Sequence, residues 1–344
     1  MTAHVLVVGA GAIGGILAAK LTRAGAWVTV LDANAEHVAA LRSPGLALDE
    51  LGSESLIPLR AVSDVTGIDE PVDFALISLK APFIDAALRP LVQAQLVNTY
   101  VSCGNGLVQG RVAQVVGSEA MMVGIVEWGA TNLGPGRLRQ TTQAPLVLGE
   151  VDGVMSDRLT RLAAVLSMAG ETRTSATIMD QVWTKLLLNS TFSGLGAVIG
   201  GTYAEAMALP GGPDVAFAMW TEAYDVAVAA GRQPTEVAGV AAARLVVRSP
   251  GDRAGAMRAL DELMARLGPT KASMLQDLER GARTEVDVIN GGVVSTADDV
   301  GISAPLNAAV VEIVHSCEAG SRRPEAANLD IVRQAIGDDA AQSP

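Results

Sequence analysis

Lys185 and Asn189 stand four positions apart in a mostly apolar stretch, VWTKLLLNSTF at 182–192. On a helix, this spacing places Lys185 and Asn189 one above the other on a single face. Such a pair could supply a proton and a hydrogen bond to a forming oxyanion. The structural alternative is a lysine whose ammonium reaches solvent and an asparagine that packs at a helix contact. The stretch alone favours the structural alternative.

A glycine-rich turn, GAGAIG at 9–14, follows the apolar strand HVLVVG and opens a helix. In such a turn the first glycine permits a tight bend, the second lets the backbone approach a pyrophosphate, and the third packs helix against strand. The N–H groups at the helix start then face the phosphates. Because a strand and a helix flank the motif, it predicts a dinucleotide site rather than a structural turn. The predicted cofactor-binding residues here are Gly9, Gly11, Ala12, Ile13 and Gly14.

The end of the second strand, WVTVLD, distinguishes between the two nicotinamide dinucleotides. Its last residue, Asp32, can accept hydrogen bonds from the adenosine ribose hydroxyls but would repel a 2′-phosphate. No arginine or lysine lies close to Asp32 in sequence, and the nearest candidate, His37, is only weakly basic. We therefore expect NAD(H) to be favoured, with NADP(H) possible.

The composition limits the classes of partner. Of the 344 residues, 49% are hydrophobic and 18% are charged, and the formal net charge is −12. This acidity argues against nucleic acid or an anionic membrane as partner, and no apolar run has membrane-spanning length. Cys103 and Cys317 stand far apart, and the first residues lack the basic region of a signal peptide. We expect a cytoplasmic protein that acts on a small molecule.

Two regions of the chain differ in periodicity. The first predicts strands at 4–9, 27–32, 73–80 and 99–106, helices at 11–25 and 83–92, and an antiparallel extension within 120–150. Strands alternating with helices indicate a parallel sheet with helices on both faces. The second region predicts helices at 178–199, 213–231, 234–247, 253–266, 285–299 and 304–318. The predicted fold class is α/β, with a Rossmann domain at 1–175, an all-α domain at 176–336 and a polar tail at 337–344.

A nicotinamide cofactor implies hydride transfer. Reduction of a carbonyl builds negative charge on its oxygen, so the site needs a proton donor. The three histidines, His4, His37 and His315, have positions that favour structural roles. Zinc chemistry would need cysteine and histidine ligands that the chain does not offer, so we expect no metal. Lys185 is left as the candidate donor.

Several motifs together resemble the ketopantoate reductase (2-dehydropantoate 2-reductase) family. They are the GAGAIGG start, SLKAP at 78–82, GNG at 104–106, WTKLLLNS at 183–190 and ASMLQDLERGARTEVDVINGG at 272–292. The match is ordered and spans roughly residues 4 to 318. The resemblance implies a Rossmann domain followed by a helical domain of the 6-phosphogluconate dehydrogenase C-terminal-like type, with the substrate bound between them.

The resemblance also implies roles for residues of the helical domain. Lys185 matches the catalytic lysine that protonates the forming alkoxide, and Glu285 matches a carboxylate that tunes this lysine. Asn189 and Ser273 match residues that hydrogen-bond the substrate, and Asp277 matches a supporting acid. The structural alternatives are an exposed acid in a helix first turn for Glu285, and helix caps for Ser273 and Asp277.

Two positions in the first half match residues beside the nicotinamide end of the cofactor. They are Lys80, which follows a strand, and Asn105, which stands between two glycines and is also a candidate substrate contact. The structural alternatives are a solvated loop lysine for Lys80 and a turn-forming residue for Asn105.

The sequence departs from the family pattern at three places. Ala33 stands where many members carry an arginine that grips the NADP phosphate. Ser193 replaces a substrate-binding asparagine, which leaves more room and one fewer amide. Glu127 and Trp128 replace threonine and small or histidine residues. As substrate contacts, Glu127 would disfavour a second anion and Trp128 would favour an aromatic or apolar group, whereas Trp128 could equally pack at the sheet edge.

The expected function is that of a 2-hydroxy acid dehydrogenase, which interconverts a 2-oxo acid and a D-2-hydroxy acid. The default substrate by resemblance is 2-dehydropantoate. One alternative is an NAD-dependent catabolic dehydrogenase of a bulkier or aromatic secondary alcohol or hydroxy acid. Another is a non-catalytic NAD-binding sensor, although such a protein would not need a proton donor. A homodimer is expected only by family analogy.

Overall fold

The computed structural model describes residues 3–342, with side chains described as far as Ala335. These residues form two compact units. The first contains the residues up to Gly104 together with Val108–Ile178, and the second contains Asn105–Leu107 and the residues from Met179 onward. The short segment Asn105–Leu107 therefore groups with the second unit, although the sequence assigns it to the range 1–175.

The first unit is a Rossmann-type α/β unit. Its strands are β1 (His4–Val8), β2 (Trp27–Leu31), β3 (Leu46–Glu50), β4 (Ser53–Ile57), β5 (Ala61–Val62), β6 (Val72–Ile77), β7 (Val97–Ser102), β8 (Met121–Val126), β9 (Ala130–Gly134), β10 (Arg137–Gln140), β11 (Leu146–Gly149) and β12 (Thr172–Thr174). Its helices are α1 (Ala12–Arg23), α2 (Ala35–Arg42), α3 (Ile84–Ala94), α4 (Val108–Val116) and α5 (Asp157–Leu166). Eight strands form one sheet in the order β12-β11-β8-β7-β6-β1-β2-β5. Neighbouring strands in it are parallel except for β8 and β11.

Strand β1 lies between β2 and β6 and pairs in parallel with both. Its residues Val5–Val8 are at most 1% exposed, as expected for a strand covered on both faces. The chain passes from β1 to β2 on one side and later returns to β6 on the other, so the strand order reverses beside β1. In open parallel sheets, ligands bind beyond the carboxyl ends of the strands at such a reversal. Gly9 and Ser78 follow β1 and β6 at this point.

A second sheet of four strands has the order β4-β3-β10-β9 and packs against α1. The antiparallel extension predicted within 120–150 is confirmed in part, because β11 pairs antiparallel with β8, and β9 with β10. However, β9 and β10 do not extend the main sheet. They join the hairpin of β3 and β4, which the sequence pattern did not predict, through a parallel pairing of β10 with β3.

The second unit is helical. Its helices are α6 (Ile178–Leu188), α7 (Gly194–Ile199), α8 (Tyr203–Ala208), α9 (Gly212–Ala229), α10 (Arg253–Leu267), α11 (Ser273–Glu279), α12 (Asn290–Val300), α13 (Pro305–Glu318) and α14 (Asn328–Gln342). A π-helical turn, Asn189–Ser193, joins α6 to α7. The chain is thus helical without a break across the range predicted at 178–199. A sheet-based unit followed by this helical unit confirms the predicted fold class.

Phe192 of the π turn lies in the core of the helical unit and is 1% exposed. Its ring centroid lies 5.8 Å from that of Tyr203 and 6.0 Å from that of Trp220. The aromatic cluster fixes the C-terminal end of the π turn against α8 and α9. Within residues 3–342, no helix combines the length and the apolar character needed to cross a membrane.

Several helix predictions differ from the structure. The helix predicted at 234–247 is wrong, because these residues form the short strands β13 (Glu236–Val237) and β14 (Val240–Ala241) and a 3₁₀ turn. Ala238 and Gly239 between the strands have φ of +48° and +76°, the geometry of a tight hairpin turn. The helix predicted at 285–299 begins later, at Asn290. Helices α8, α11 and α14 were not predicted, and α14 continues into the range assigned to a polar tail.

Candidate active site

The glycine turn joins β1 to α1, and its glycines have different surroundings. Gly9 has φ +90°, a conformation that favours glycine. A Cβ on Gly14 would lie 2.1 Å from both the Gly9 carbonyl oxygen and the Ser78 hydroxyl oxygen. A Cβ on Gly11 would meet no protein atom within 4 Å. Gly14 is therefore required by packing, whereas Gly11 borders open space.

The start of α1 fits the pyrophosphate of a dinucleotide. Gly11 is the N-cap of α1 and provides no side-chain cap. Ala12 and Ile13 follow as the first helical residues, and N–H groups at these positions have no acceptor inside the helix. Free donors and the positive end of the helix dipole favour an anion, and the open space at Gly11 gives it access. These residues would hold the pyrophosphate through their backbone.

The Asp32 carboxylate ties the end of β2 to the glycine turn. Its Oδ2 accepts a hydrogen bond from the Ala10 N–H at 2.8 Å, and its Oδ1 accepts one from the Asn34 N–H at 2.9 Å. A carboxylate has about four acceptor positions, and Asp32 is only half-buried. Its remaining acceptor positions are therefore compatible with the ribose hydroxyls predicted to bind there.

His37 binds the carbonyl of the same residue, Ala10. Its Nε2 donates to the Ala10 carbonyl at 2.9 Å, and its Nδ1 accepts from the Gly136 N–H at 2.9 Å. Because Nδ1 accepts, Nε2 must carry the proton. His37 is 5% exposed, and both of its ring nitrogens are engaged inside the unit. It has the structural role predicted for it, and its hold on the glycine turn is a functional feature that the sequence did not reveal.

The other two histidines also have structural partners. His4 lies with Nδ1 2.9 Å from the Pro71 carbonyl oxygen and Nε2 2.9 Å from the Thr29 hydroxyl oxygen. His315 Nε2 lies 2.8 Å from a carboxylate oxygen of Asp287. No group of three or more His, Cys, Asp or Glu side chains suited to a metal ion occurs among the described residues.

The SLKAP motif follows β6, next to the glycine turn. The Ser78 hydroxyl donates to the Gly9 carbonyl at 2.6 Å, which links the two motifs. Lys80 is half-buried and immediately precedes the short 3₁₀ turn Ala81–Phe83. The predicted contact of Lys80 with the nicotinamide end of the cofactor stays a prediction.

Helix α6 carries Lys185 in its last turn, and Asn189 opens the π turn that follows. Both residues are half-buried, whereas Val182, Trp183 and Leu186 around them are at most 5% exposed. The four-residue spacing places the ammonium and the amide on one side of this apolar helix. The arrangement matches the polar face that the sequence predicts.

Asn105 and Glu285 lie together in the helical unit, although 180 residues separate them in sequence. The Asn105 Nδ2 donates to Glu285 Oε2 at 3.3 Å, and Glu285 is 8% exposed. The adjacent backbone is also held, because the Leu107 N–H donates to the Val288 carbonyl at 2.7 Å. Gly106 has φ +69°, and a Cβ there would lie 2.3 Å from the same carbonyl oxygen. Glu285 is thus a buried partner of Asn105, not the exposed acid of the structural alternative.

Ser273 and Asp277 both lie on α11. Ser273 is its first residue and is exposed, and Ala272 occupies the N-cap position, so Ser273 does not cap this helix. Asp277 lies one turn further along and is 7% exposed. Their predicted contacts with substrate stay predictions.

Ser193 ends the π turn and is 4% exposed. Its hydroxyl oxygen lies 2.7 Å from the Tyr203 hydroxyl oxygen, so its hydrogen-bonding group is engaged inside the core. Burial raises the pKa of Tyr203, and the hydrogen bond with Ser193 offsets only part of this rise. The predicted contact of Ser193 with substrate is untested.

Glu127 and Trp128 follow β8 in the Rossmann-type unit. Glu127 is exposed, and Trp128 is partly buried against the core of this unit. Trp128 lines a cavity of about 420 Å³ together with Leu17 and Lys20 of α1. This placement agrees with the alternative of packing at the sheet edge, and a substrate role for either residue stays a prediction.

The fold and these residues define a class of protein. A glycine turn with free helix donors and an acidic residue after the second strand is the arrangement of a dinucleotide-binding unit. A lysine, two amides and a buried carboxylate on the helical unit are groups of the kind that proton transfer and oxyanion binding require. Together they define a nicotinamide-dependent oxidoreductase with a Rossmann-type and a helical unit.

Comparison with known proteins identifies the family. Residues 5–153 match the family model Ketopantoate reductase PanE/ApbA, and residues 177–318 match Ketopantoate reductase PanE/ApbA C terminal. A 2-dehydropantoate 2-reductase of Mesorhizobium japonicum is 29% identical over 336 residues, which cover 90% of this chain and 96% of that protein. One of Halobacterium salinarum is 27% identical over 313 residues, covering 90% and 97%. The chain belongs to the ketopantoate reductase family.

Solved structures agree with this assignment. A PanE/ApbA family ketopantoate reductase from Ralstonia eutropha JMP134 has a TM-score of 0.78 and 25% identity, covering 92% of this chain and 99% of that one. A D-mandelate dehydrogenase in a ternary structure with NADH and anilino(oxo)acetate has a TM-score of 0.77 and 22% identity, with the same coverage. The second likeness concerns the fold.

The glycine turn allows a test that separates packing from cofactor binding. Gly14→Ala places a methyl group against backbone and should cost about 1–3 kcal/mol of unfolding free energy. Gly11→Ala meets no protein atom and should leave the melting temperature within about 2 °C of the parent. It should nevertheless weaken NADH binding by about tenfold or more, because its methyl group occupies the pyrophosphate position. Thermal unfolding and NADH titration of both variants check this, and unchanged NADH affinity in Gly11→Ala would contradict it.

Proposed function

We propose that this chain is an NAD(H)-dependent oxidoreductase that interconverts a 2-oxo acid and a D-2-hydroxy acid, with 2-dehydropantoate as its default substrate. The observation that carries the proposal is the hydrogen bond between Asn105 and Glu285, which joins two predicted site residues in the unit that also holds Lys185. Membership of the ketopantoate reductase family supports the same reaction class.

The proposed chemistry divides between the two units. The glycine turn and the start of α1 hold the dinucleotide, which supplies hydride when bound. In the helical unit, the Lys185 ammonium donates a proton to the carbonyl oxygen as negative charge builds there. Asn189 donates a hydrogen bond to the substrate and fixes its orientation. Glu285 balances the ammonium charge, and its bond to Asn105 orients that carboxamide.

Preference for NAD(H) over NADP(H) is proposed from the surroundings of Asp32. Its carboxylate stands where the adenosine ribose is expected, and a 2′-phosphate there would meet like charge. Ala33 is exposed and carries no positive charge. His37 is buried with both ring nitrogens engaged, so it does not offer a cation to the phosphate.

An arginine at Ala33 should change this preference. We expect the parent to show kcat/KM at least about tenfold higher with NADH than with NADPH, the effect of about 1.4 kcal/mol of repulsion. Ala33→Arg should lower the KM for NADPH, because a guanidinium can pair with the phosphate. Ala39→Arg adds the same charge at an exposed position of α2 and serves as control. A parent enzyme that prefers NADPH would contradict the proposed cofactor.

Removal of the Lys185 ammonium tests the proposed proton donor. Lys185→Ala should lower kcat by about 10²-fold or more while leaving NADH affinity unchanged, because a general acid acts on the chemical step. Lys185→Arg keeps the positive charge but holds its proton too tightly to donate it, so it should not restore kcat. Lys271→Ala removes an exposed lysine paired with Glu279 and is the matched control. Near-normal turnover in Lys185→Ala would place the donor elsewhere.

A second candidate is a dehydrogenase of an aromatic 2-hydroxy acid. It is favoured by the fold likeness to a D-mandelate dehydrogenase solved with NADH, at a TM-score of 0.75. Initial rates with 2-dehydropantoate, and with D-mandelate and its 2-oxo acid, separate the two candidates. Activity on the aromatic pair alone would reject the default substrate.

A homodimer and a cytoplasmic location stay predictions from the sequence.

A non-catalytic NAD-binding sensor is the alternative outside the enzymes. Such a protein needs the glycine turn but has no need for a proton donor. The presence of Lys185 at the end of α6 and of Asn189 one turn later, in a unit that also pairs Asn105 with Glu285, therefore favours the enzyme.

A further inference from the structure

The π turn Asn189–Ser193 changes the hydrogen bonding of the helix at the predicted substrate amide. The Gly194 N–H donates to the carbonyls of Asn189 and Thr191. In a regular α-helix it would donate to Ser190, four residues back. Ser190 is 0% exposed, so its carbonyl, which does not accept the Gly194 N–H, cannot turn to water instead. π turns inside α-helices are frequent at functional sites, and they need such carbonyls to be satisfied from elsewhere.

Asn290 supplies a side-chain donor to this carbonyl. Its Nδ2 donates to the Ser190 carbonyl at 2.9 Å and to the Asn307 Oδ1 at 2.8 Å. Both partners are acceptors, so the amide must present its NH₂ group to them, and the reversed orientation would set oxygen against oxygen. Asn290 is 0% exposed and is the first residue of α12. One side chain thus connects α12 to the π turn.

Asn307, the second acceptor of the Asn290 amide, is itself held by hydrogen bonds. The Asn307 Nδ2 donates to Glu222 Oε1 at 2.8 Å. The Glu222 carboxylate also accepts the backbone N–H groups of Leu306 and Asn307, each at 2.9 Å, at the start of α13. The Asn290 amide additionally lies against the helix backbone, because a Cβ on Gly194 would come within 3.1 Å of its nitrogen. The donor is therefore fixed by α9, α12 and α13 together.

We infer that Asn290 is a positioning residue, which holds the π turn and thereby aims the Asn189 carboxamide beside Lys185. The inference rests on the proposed function, in which Asn189 binds the substrate. Without the Asn290 donor, the buried Ser190 carbonyl loses its side-chain partner, and closure toward regular α geometry, which eliminates the π turn, would give it the Gly194 N–H instead. The aromatic cluster around Phe192 holds the C-terminal end of the π turn, so the change falls on Asn189 at its start.

Asn328 provides a matched control for a test of this inference. It is 1% exposed, and its Nδ2 also donates to a carbonyl of the same continuous helix, that of Val198, at 3.0 Å. Asn290→Ala and Asn328→Ala each remove a buried amide from the same unit and should both lower the melting temperature. Only Asn290→Ala should raise the KM for 2-dehydropantoate, by about tenfold or more, because substrate orientation is lost. The KM for NADH should change less than about twofold in both.

A double-mutant cycle identifies the route of the effect. If Asn290 acts through Asn189, the variant Asn189→Ala/Asn290→Ala should have a kcat/KM for 2-dehydropantoate no lower than that of Asn189→Ala alone. Additive losses, or an unchanged KM in Asn290→Ala, would overturn the inference while leaving the proposed function intact. An unchanged KM in Asn189→Ala would reject the substrate role of Asn189, and the inference with it. The Lys185→Ala measurement tests the reaction class separately.

A milder variant keeps the test decisive if Asn290→Ala is not recovered folded. Asn290→Ser retains one hydroxyl donor for two acceptors. We expect a raised KM for 2-dehydropantoate, smaller than in the alanine variant, with the KM for NADH unchanged. A folded Asn290→Ser protein with the parent KM for 2-dehydropantoate would overturn the inference.

Discussion

The helical unit has to keep polar groups inside an apolar core, and each buried polar group there needs a hydrogen-bond partner. A buried amide or carbonyl without a partner costs about 1–3 kcal/mol, a large part of the stability of an ordinary domain. Side chains distant in sequence supply several of these partners, although Asn290 Oδ1 and Thr191 Oγ1 are buried without one. Asn290 serves the Ser190 carbonyl, and Asn105 pairs with the Glu285 carboxylate. The same bonds that avoid this cost also set the directions of the groups proposed to act on substrate.

In the Rossmann-type unit, both backbone polar groups of a single residue, Ala10, likewise have side-chain partners. The N–H of Ala10 is bound by Asp32 and its carbonyl by His37, so the glycine turn is held on both sides by its own unit. A turn held in this way loses little conformational freedom when a ligand binds, which favours affinity. Asp32 then has two consequences, because it shapes the turn and places a negative charge where an adenosine ribose is expected. The cofactor preference and the shape of the turn are therefore linked through one carboxylate.

Much of this arrangement could be predicted from local sequence. The glycine motif, the alternation of strands and helices, and the four-residue spacing of Lys185 and Asn189 are short-range signals, and the fold class they indicate is confirmed. Other features depend on partners that no local pattern reveals. The bond between Asn290 and Ser190 spans 100 residues, and the helical periodicity of α6 and α7 does not show that a π turn joins them. The hairpin at 236–241 was mistaken for a helix because an alanine, Ala238, adopts positive φ there.

The position of Lys185 relative to a bound substrate tests the central claim most directly. A crystal structure with NADH and a 2-oxo acid analogue would give the distance from Lys185 Nζ to the oxygen that becomes the alcohol. We expect about 3 Å, the range for proton transfer through a hydrogen bond. A lysine nitrogen that points into bulk solvent, with another group bound to that oxygen, would contradict the proposed role of Lys185.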